Sequence, residues 1–394
     1  MLPSDRGQAL AITPLWRLAF RPFFLFGALF AASAMVLWLG LLFSGLSLPH
    51  GQAALGWHRH EMVFGFAGAI IAGFLLTAVQ NWTGQPGLSG KGLVLLVLLW
   101  LAARLAWFAP LPPLLLAGIE IAFLPLLAAL MARHLWRARQ RNNYPIVGVL
   151  LLLCLCQAQV LLGLVDNNDG LQRRGIQAAM WLVAGLLGLI GGRVIPFFTQ
   201  RGLARSRPFA PSPRLDALIL VGSLVVAVLG ASGLSQRATP GLAPFFIVLG
   251  CLYGLRLWQW HDGRLWRVPL LWSLHLAYAW LIVAAGLSAA WHAGATWLTG
   301  AAVHALGVGA MSGAILAMMA RVSLGHTGRP LQPPRAVVWG LALLQLAAFV
   351  RVLLALFWVA GLWLSGLLFV VAFILFVVSY GPLLCKPRID GHPG

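Results

Sequence analysis

Apolar runs of about 20 residues, each closed by a short polar or Gly/Pro-rich break, recur along this chain, and about 20 is the length a helix needs to cross a bilayer. Twelve such runs can be drawn: 22–45, 61–80, 91–109, 112–133, 145–165, 175–198, 215–235, 240–258, 269–291, 296–320, 336–358 and 361–384. The second is free to start near Ala53, because no strong breaker follows Gly51. The last two divide at Ala360-Gly361, where one longer broken helix is the competing reading. Pro- and Arg-rich stretches at 205–214 and 329–335 read as connectors, and no two-fold repeat of the kind many transporters carry stands out. Gly185, Gly188 and Gly192 in the sixth run, and Gly300 and Gly307 in the tenth, permit close helix approach.

Composition removes the soluble alternatives. Of 394 residues, 61% are hydrophobic and 9% charged, with a mean hydropathy of +0.90. A soluble domain carries roughly 25% charged residues. The expectation is an all-α polytopic protein of about twelve transmembrane helices, with residues 1–394 forming a single integral membrane domain. Arg6, Arg17 and Arg21 precede a first run longer than a signal peptide's apolar region, with no convincing cleavage site, so that run reads as an uncleaved span.

The net charge of +19 resembles a nucleic-acid signal, but the basic residues sit between the apolar runs. That distribution fits the positive-inside rule and anionic lipid headgroups, so the bilayer is the expected partner and nucleic acid is not. With the N-terminus inside, 21 of the 27 Lys and Arg fall on the inner side. Four (Arg59, Arg173, Arg174 and Arg237) fall outside, and Arg104 and Arg351 lie within spans. Both termini are therefore expected in the cytoplasm. Cys154, Cys156, Cys251 and Cys385 read as packing or tail residues. No Cys-x-x-Cys-His occurs, which excludes covalently attached c-type haem.

Chemistry then rests on histidine, which at ten residues outnumbers the eight acids. His50, His134, His261, His292 and His392 read as loop or tail residues. The sharper settings belong to His58, His60, His275, His304 and His326. Trp57-His58-Arg59-His60-Glu61-Met62 resembles a zinc-protease motif but lacks the second histidine, since Phe64 stands four after His60. On a regular helix His58 and His60 diverge by about 200°, so both reach one metal only if the turn is irregular. An interfacial hydrogen-bonding cluster and metal or haem ligation both fit them. His275 and His304 lie inside spans nine and ten, where ionisable residues default to functional hypotheses. Gly300, Gly307 and Met311 share the His304 stripe and leave a slot for a macrocycle or a neighbouring helix. Arg193 and Arg321 stand at inner span ends, suited to lipid phosphates or to haem propionates. Glu120 is a lone acid in an apolar run, expected protonated if unpaired.

These blocks, in order from residue 18 to 329, resemble the NnrS family. They are Leu18-Ala19-Phe20-Arg21-Pro22-Phe23-Phe24, Trp57-His58-x-His60-Glu61-Met62-x-Phe64-Gly65-Phe66 and Gly73-Phe74-Leu75-Leu76-Thr77-Ala78-Val79-x-Asn81-Trp82-Thr83-Gly84, then Gly191-Gly192-Arg193-x-Ile195-Pro196-Phe197, the His304 span and Leu324-Gly325-His326-Thr327-Gly328-Arg329. Gln80 departs from the pattern, where proline is expected. The resemblance implies a twelve-helix protein of the bacterial inner membrane with haem and copper, serving relief of nitrosative stress. The five selected histidines fall where the family carries its own.

The expected function is therefore a membrane haem/copper protein that binds or turns over nitric oxide or iron-nitrosyl species. Its haem is non-covalent and b-type, with His275, His304, His326, Arg193 and Arg321 as candidate contacts. The candidate metal ligands are His58, His60, His275, His304 and His326, and the outer pair His58 and His60 is the expected copper site, with Glu61 fixing an imidazole tautomer. Redox turnover needs an electron donor; a quinol and a cytochrome are the two classes that fit. The competing readings are a transporter of haem, copper or a small anion, and a sensor without turnover.

Overall fold

The computed structural model describes residues 7, 10–49 and 53–392; Arg6, counted above on the inner side, and His50 lie outside them. Among the described residues all regular structure is helical. The membrane-length helices are α1 (Phe20–Phe43), α2 (Ala54–Thr83), α3 (Gly90–Ala106), α4 (Pro113–Arg137), α5 (Arg141–Val165) and α6 (Asp169–Gly202). They continue with α7 (Pro213–Ser232), α8 (Pro240–Gln259), α9 (Pro269–His292), α10 (Thr296–His326), α11 (Arg335–Leu356) and α12 (Ala360–Leu384). Eleven are long and apolar enough to cross a membrane, and α3 is the twelfth, with 17 residues at the short end of the spanning range. The chain is a multi-pass membrane protein. The break at Ala360-Gly361 is real: a Cβ on Gly361 would lie 3.2 Å from the Ala355 backbone, so the chain turns tightly there.

Three helices outrun their apolar stretches. α2, α6 and α10 have 30, 34 and 31 residues and are also the most enclosed, with 78%, 67% and 61% of their apolar windows buried. Hydropathy stops at the polar groups Trp57–Glu61, Arg173–Arg174 and Arg321–His326, but backbone hydrogen bonding does not. These polar groups are lifted onto helical turns that the lipid-facing helices lack.

The described residues form two compact units. The first comprises residues up to 176, 319–336 and from 373 onward; the second comprises 177–318 and 337–372. In the first unit the Leu18–Phe24 block is a packing device. Gly73 lets α1 approach closely, since a Cβ there would lie 2.8 Å from Phe23 Cβ, and the Phe20 N–H donates to Thr77 Oγ1 at 2.9 Å. Arg21 is fully buried and donates to the carbonyls of Leu384 (2.9 Å) and Lys386 (2.7 Å), closing the end of α12. Arg59 and Arg173 both pair with Asp169, and in the second unit Arg205 and Arg264 both pair with Asp262. Each of these sets unites residues that the twelve-span division assigns to one side.

α2 and α10 carry a local repeat that inspection of the sequence does not bring out. His60, Gly65, Ile71, Thr83 and Gly84 recur at one constant offset as His304, Gly309, Ile315, Thr327 and Gly328. In both helices the histidine is followed at once by a π-helical stretch, Glu61–Ala67 and Ala305–Ser312. Thr83 and Thr327, and Thr199 at the matching end of α6, each donate a hydroxyl hydrogen bond back one turn, to Val79, Ser323 and Ile195. Five identities among the 25 positions from His60 to Gly84 make a faint sequence signal; the shared wide turn is what reveals them.

Candidate functional site

In the first unit, α2 through α5 each send polar side chains to one buried point. The Glu61 carboxylate accepts from Nη1 of Arg104, and the Glu120 carboxylate from Nη2 of the same guanidinium. His60 Nδ1 lies 2.9 Å from Glu61 Oε1, and Gln157 donates from Nε2 to His60 Nε2 at 3.3 Å and to the Glu120 carbonyl at 3.0 Å. All five side chains are buried, Glu61 and Glu120 completely. Gly65 makes the space: a Cβ there would collide with Arg104 and lie 2.8 Å from Glu61 Oε2. Trp100 closes the wall by donating to the Gly65 carbonyl at 2.9 Å. Glu120 is thus not the lone acid expected from the sequence. Arg104 is its partner, and it was within reach, because two intramembrane groups of opposite charge are cheaper together than apart.

His58 does not join this group. Its ring stacks on Trp38 at 4.1 Å with the planes 10° apart, so the two histidines of the motif meet different surroundings. The irregular turn that could have aligned them begins only after His60. The donor atoms of His60, Glu61 and Glu120 do lie within 4.8 Å of one another, the spacing of a metal site. A guanidinium already bridges both carboxylates, however, and both imidazole nitrogens have partners. The copper set expected at His58 and His60 is not a fit for these surroundings.

In the second unit, His275 is buried in α9, with Nδ1–H directed at the Leu271 carbonyl (2.9 Å). That bond favours a proton on Nδ1, and Nε2 is buried without a hydrogen bond of regular geometry. The Trp260 backbone and His261 are its other polar neighbours. One turn on, Tyr278 packs edge-on against Trp260 (4.9 Å) and Tyr253 (5.8 Å), and its hydroxyl too is buried without a partner. Beside them Asp216 pairs with Arg256, whose guanidinium covers Trp260 at 4.9 Å, and Tyr253 shares a 2.7 Å hydrogen bond with Ser223. Gly192 admits this pair against α6, since a Cβ would lie 2.9 Å from Asp216 Oδ1. Arg193 is exposed, with its charge in reach of Asp216.

His304 repeats the His275 arrangement: Nδ1 meets the Gly300 carbonyl at 2.7 Å, and Nε2 is outside that bond. Arg351 is its cationic neighbour. Counting 1.5 Å per residue, His275 lies about 9 Å into α9 and His304 about 12 Å into α10. A three-residue connection joins α9 to α10, so these starts are at opposite ends and the two rings do not share a metal. Gly309, the counterpart of Gly65, receives the Trp280 ring rather than a charge.

The remaining candidates have packing roles around them. In the first unit the His326 ring lies 5.5 Å from Phe20, and its carbonyl accepts from Arg388 at 3.0 Å, so the Leu324–Arg329 block ties the end of α10 to the C-terminal segment. Arg321 is buried in the same unit. His292, read from sequence as a loop residue, is buried at the end of α9, stacks on Phe246 and accepts from the Thr239 N–H at 3.1 Å.

A comparison with curated proteins found no match to this sequence. The family model described as NnrS protein matches residues 14–388, nearly the whole chain, and takes in the twelve spans, the polar cluster of the first unit and both intramembrane histidines of the second: the protein belongs to the NnrS family of nitric-oxide-response membrane proteins.

Proposed function

We propose that this protein is a haem protein of the bacterial inner membrane that binds or turns over nitric oxide or iron-nitrosyl species. Family membership supports the nitric-oxide response. One observation carries the haem: His275 is buried inside its span with Nδ1 at the Leu271 carbonyl, and its Nε2 makes no hydrogen bond of regular geometry, the Trp260 backbone lying beside the ring. A buried acceptor left unmade costs about 1–3 kcal/mol, and an iron–imidazole bond removes that cost. His275 is the proposed ligand, His304 the second candidate by the same Nδ1–carbonyl arrangement, and Arg193 the propionate partner in that unit. A haem iron with an open position supplies a binding site for nitric oxide. Copper accompanies haem in this reading, but without the His58 and His60 set, since His58 stacks on Trp38 and both ring nitrogens of His60 already have partners. Turnover requires a quinol or cytochrome donor.

The test is the absorption spectrum and metal content of the purified protein. A Soret band that responds to nitric oxide, and is lost or shifted in His275→Ala, is the expected result. A protein free of haem after haem-replete expression favours the transporter reading. Unchanged spectra in both His275→Ala and His304→Ala remove these two residues as ligands.

A further inference from the structure

At one end of the first unit, cations gather without the anions to balance them. Arg21 is fully buried, and only its Nη1 is engaged, on the Leu384 and Lys386 carbonyls. Its Nε and Nη2 are both buried with no hydrogen-bonding partner. In a planar guanidinium these two N–H groups form one edge, which points directly away from Nη1. That edge is the fork that grips two oxygens of an oxyanion side by side.

The charges around Arg21 are of its own sign. Arg17, Arg388 and Arg329 act on it from the segment before α1, the C-terminal segment and the stretch after α10. The Cys385 thiol acts on it too, and the Phe20 ring lies 5.7 Å from the guanidinium carbon. The carboxylate that reaches this group among the described residues, Asp390, is already taken: Nε and Nη2 of Arg388 hold its two oxygens. Four guanidinium charges thus share one carboxylate. Arg17 adds a further open donor, since its Nη1 is buried without a partner.

Backbone carbonyls fix these cations in place. Arg17 donates to Ile12 at 2.8 Å and Leu10 at 2.7 Å, Arg388 to His326 at 3.0 Å, and Arg329 to Thr327 at 3.4 Å. Like charges held close together repel, and an anion among them turns that repulsion into attraction. Capping α12 requires only Nη1 of Arg21. It explains neither the open edge nor the three added cations.

We infer that this cluster is a binding site for a phosphate group, gripped by the Nε–Nη2 edge of Arg21 with Arg17, Arg329 and Arg388 around it. A tetrahedral phosphate presents oxygens in several directions, whereas the two oxygens of a carboxylate are used up on one guanidinium edge. The site lies at the ends of α1, α10 and α12 that the charge distribution assigns to the cytoplasmic side. A phospholipid headgroup of that leaflet and free phosphate both offer this chemistry. None of the four arginines belongs to the haem assignment in the second unit.

Thermal midpoints and native mass spectra of the full-length protein, delipidated in detergent, test the site. The probes are phosphatidylglycerol and inorganic phosphate, with dioleoylglycerol and sodium acetate at matched concentrations as phosphate-free controls. A raised midpoint and a retained adduct are expected with a phosphate probe and with neither control. A response to phosphatidylglycerol alone identifies the headgroup as the ligand; a response to inorganic phosphate identifies the free ion. Arg21→Lys keeps the charge and a donor for the carbonyls but removes the edge, and should weaken binding about tenfold or more. Should Arg21→Lys fail to fold, the partly exposed pair Arg17→Gln with Arg329→Gln should weaken binding as well. Arg141→Gln, at an exposed cation assigned to the same side, should leave it unchanged. Absence of binding by both phosphate probes, equal responses to the controls, or undiminished binding in the Arg21 and Arg17/Arg329 variants would overturn the inference. An equal loss in Arg141→Gln would reduce the effect to general surface charge and likewise overturn it.

Discussion

Gly65 and Arg104 occupy one space: only a hydrogen at position 65 lets the guanidinium lie between Glu61 and Glu120. The glycine sits in the π-helical stretch that follows His60, and the arginine comes from the last turn of α3. Gly65→Ala must therefore push Arg104 off one or both carboxylates. Overpacking alone costs about 1–3 kcal/mol, and breaking a buried pair adds to it. The thermal midpoint in detergent should fall clearly, while Gly118→Ala, where nothing lies within 4 Å of the added Cβ, should not lower it.

Arg21 makes a second prediction, about stability rather than chemistry. Its two hydrogen bonds to the Leu384 and Lys386 carbonyls join the first helix to the last. Arg21→Ala should cost roughly 1.5–3 kcal/mol, the range for hydrogen bonds to a charged group. Hydrogen exchange should show loss of protection concentrated at the end of α12. Uniform loss across the protein would contradict the capping role.

At a loop, pH dependence has a definite sign. Hydrogen bonds from the Arg264 side chain and backbone N–H, with Arg205 behind them, hold the Asp262 carboxyl well below the usual carboxylate range. A carboxyl depressed in the folded state adds stability in full above its unfolded value of about 3.9. That stability is lost only as pH falls through the lower folded value. Protection factors around residues 203–207 should therefore hold at a pH of about 4 and drop in Asp262→Asn at neutral pH. Early loss in the native protein on mild acidification would contradict the clasp.

The orientation expected from the charge distribution is open to labelling. Cys251 and Cys385 are exposed and must first be replaced. Single cysteines at residues 168 and 206 should then react from opposite sides, residue 168 from the periplasm. The reverse pattern would invert the topology; labelling of both from one side would break the span count between them.

Much of the architecture could be read without coordinates because one physical quantity controls it. Unpaired backbone polar groups are intolerable in hydrocarbon, so an apolar run of about 20 residues has little choice but helix. The twelve runs appear as twelve helices, and the intramembrane His275, His304 and Glu120 were visible as costly residues in apolar stretches. The ends of α2, α6 and α10 were less visible, because hydropathy registers side-chain polarity and is blind to backbone pairing that continues through His58–Glu61 or Arg321–His326.

By itself the sequence determined helical class, the number of spans and the short inventory of ionisable residues among which any buried chemistry must lie. Only the tertiary structure decided their partners. Residues 61, 104, 120 and 157 come from four different helices, and a shared face depends on rotation and register that no local pattern encodes. It also separated residues adjacent in the chain: His58 stacks on Trp38 while His60 meets Glu61 and Gln157. The reason is that burial cost is a property of each residue, readable in place, whereas its relief is a property of pairs brought together by folding.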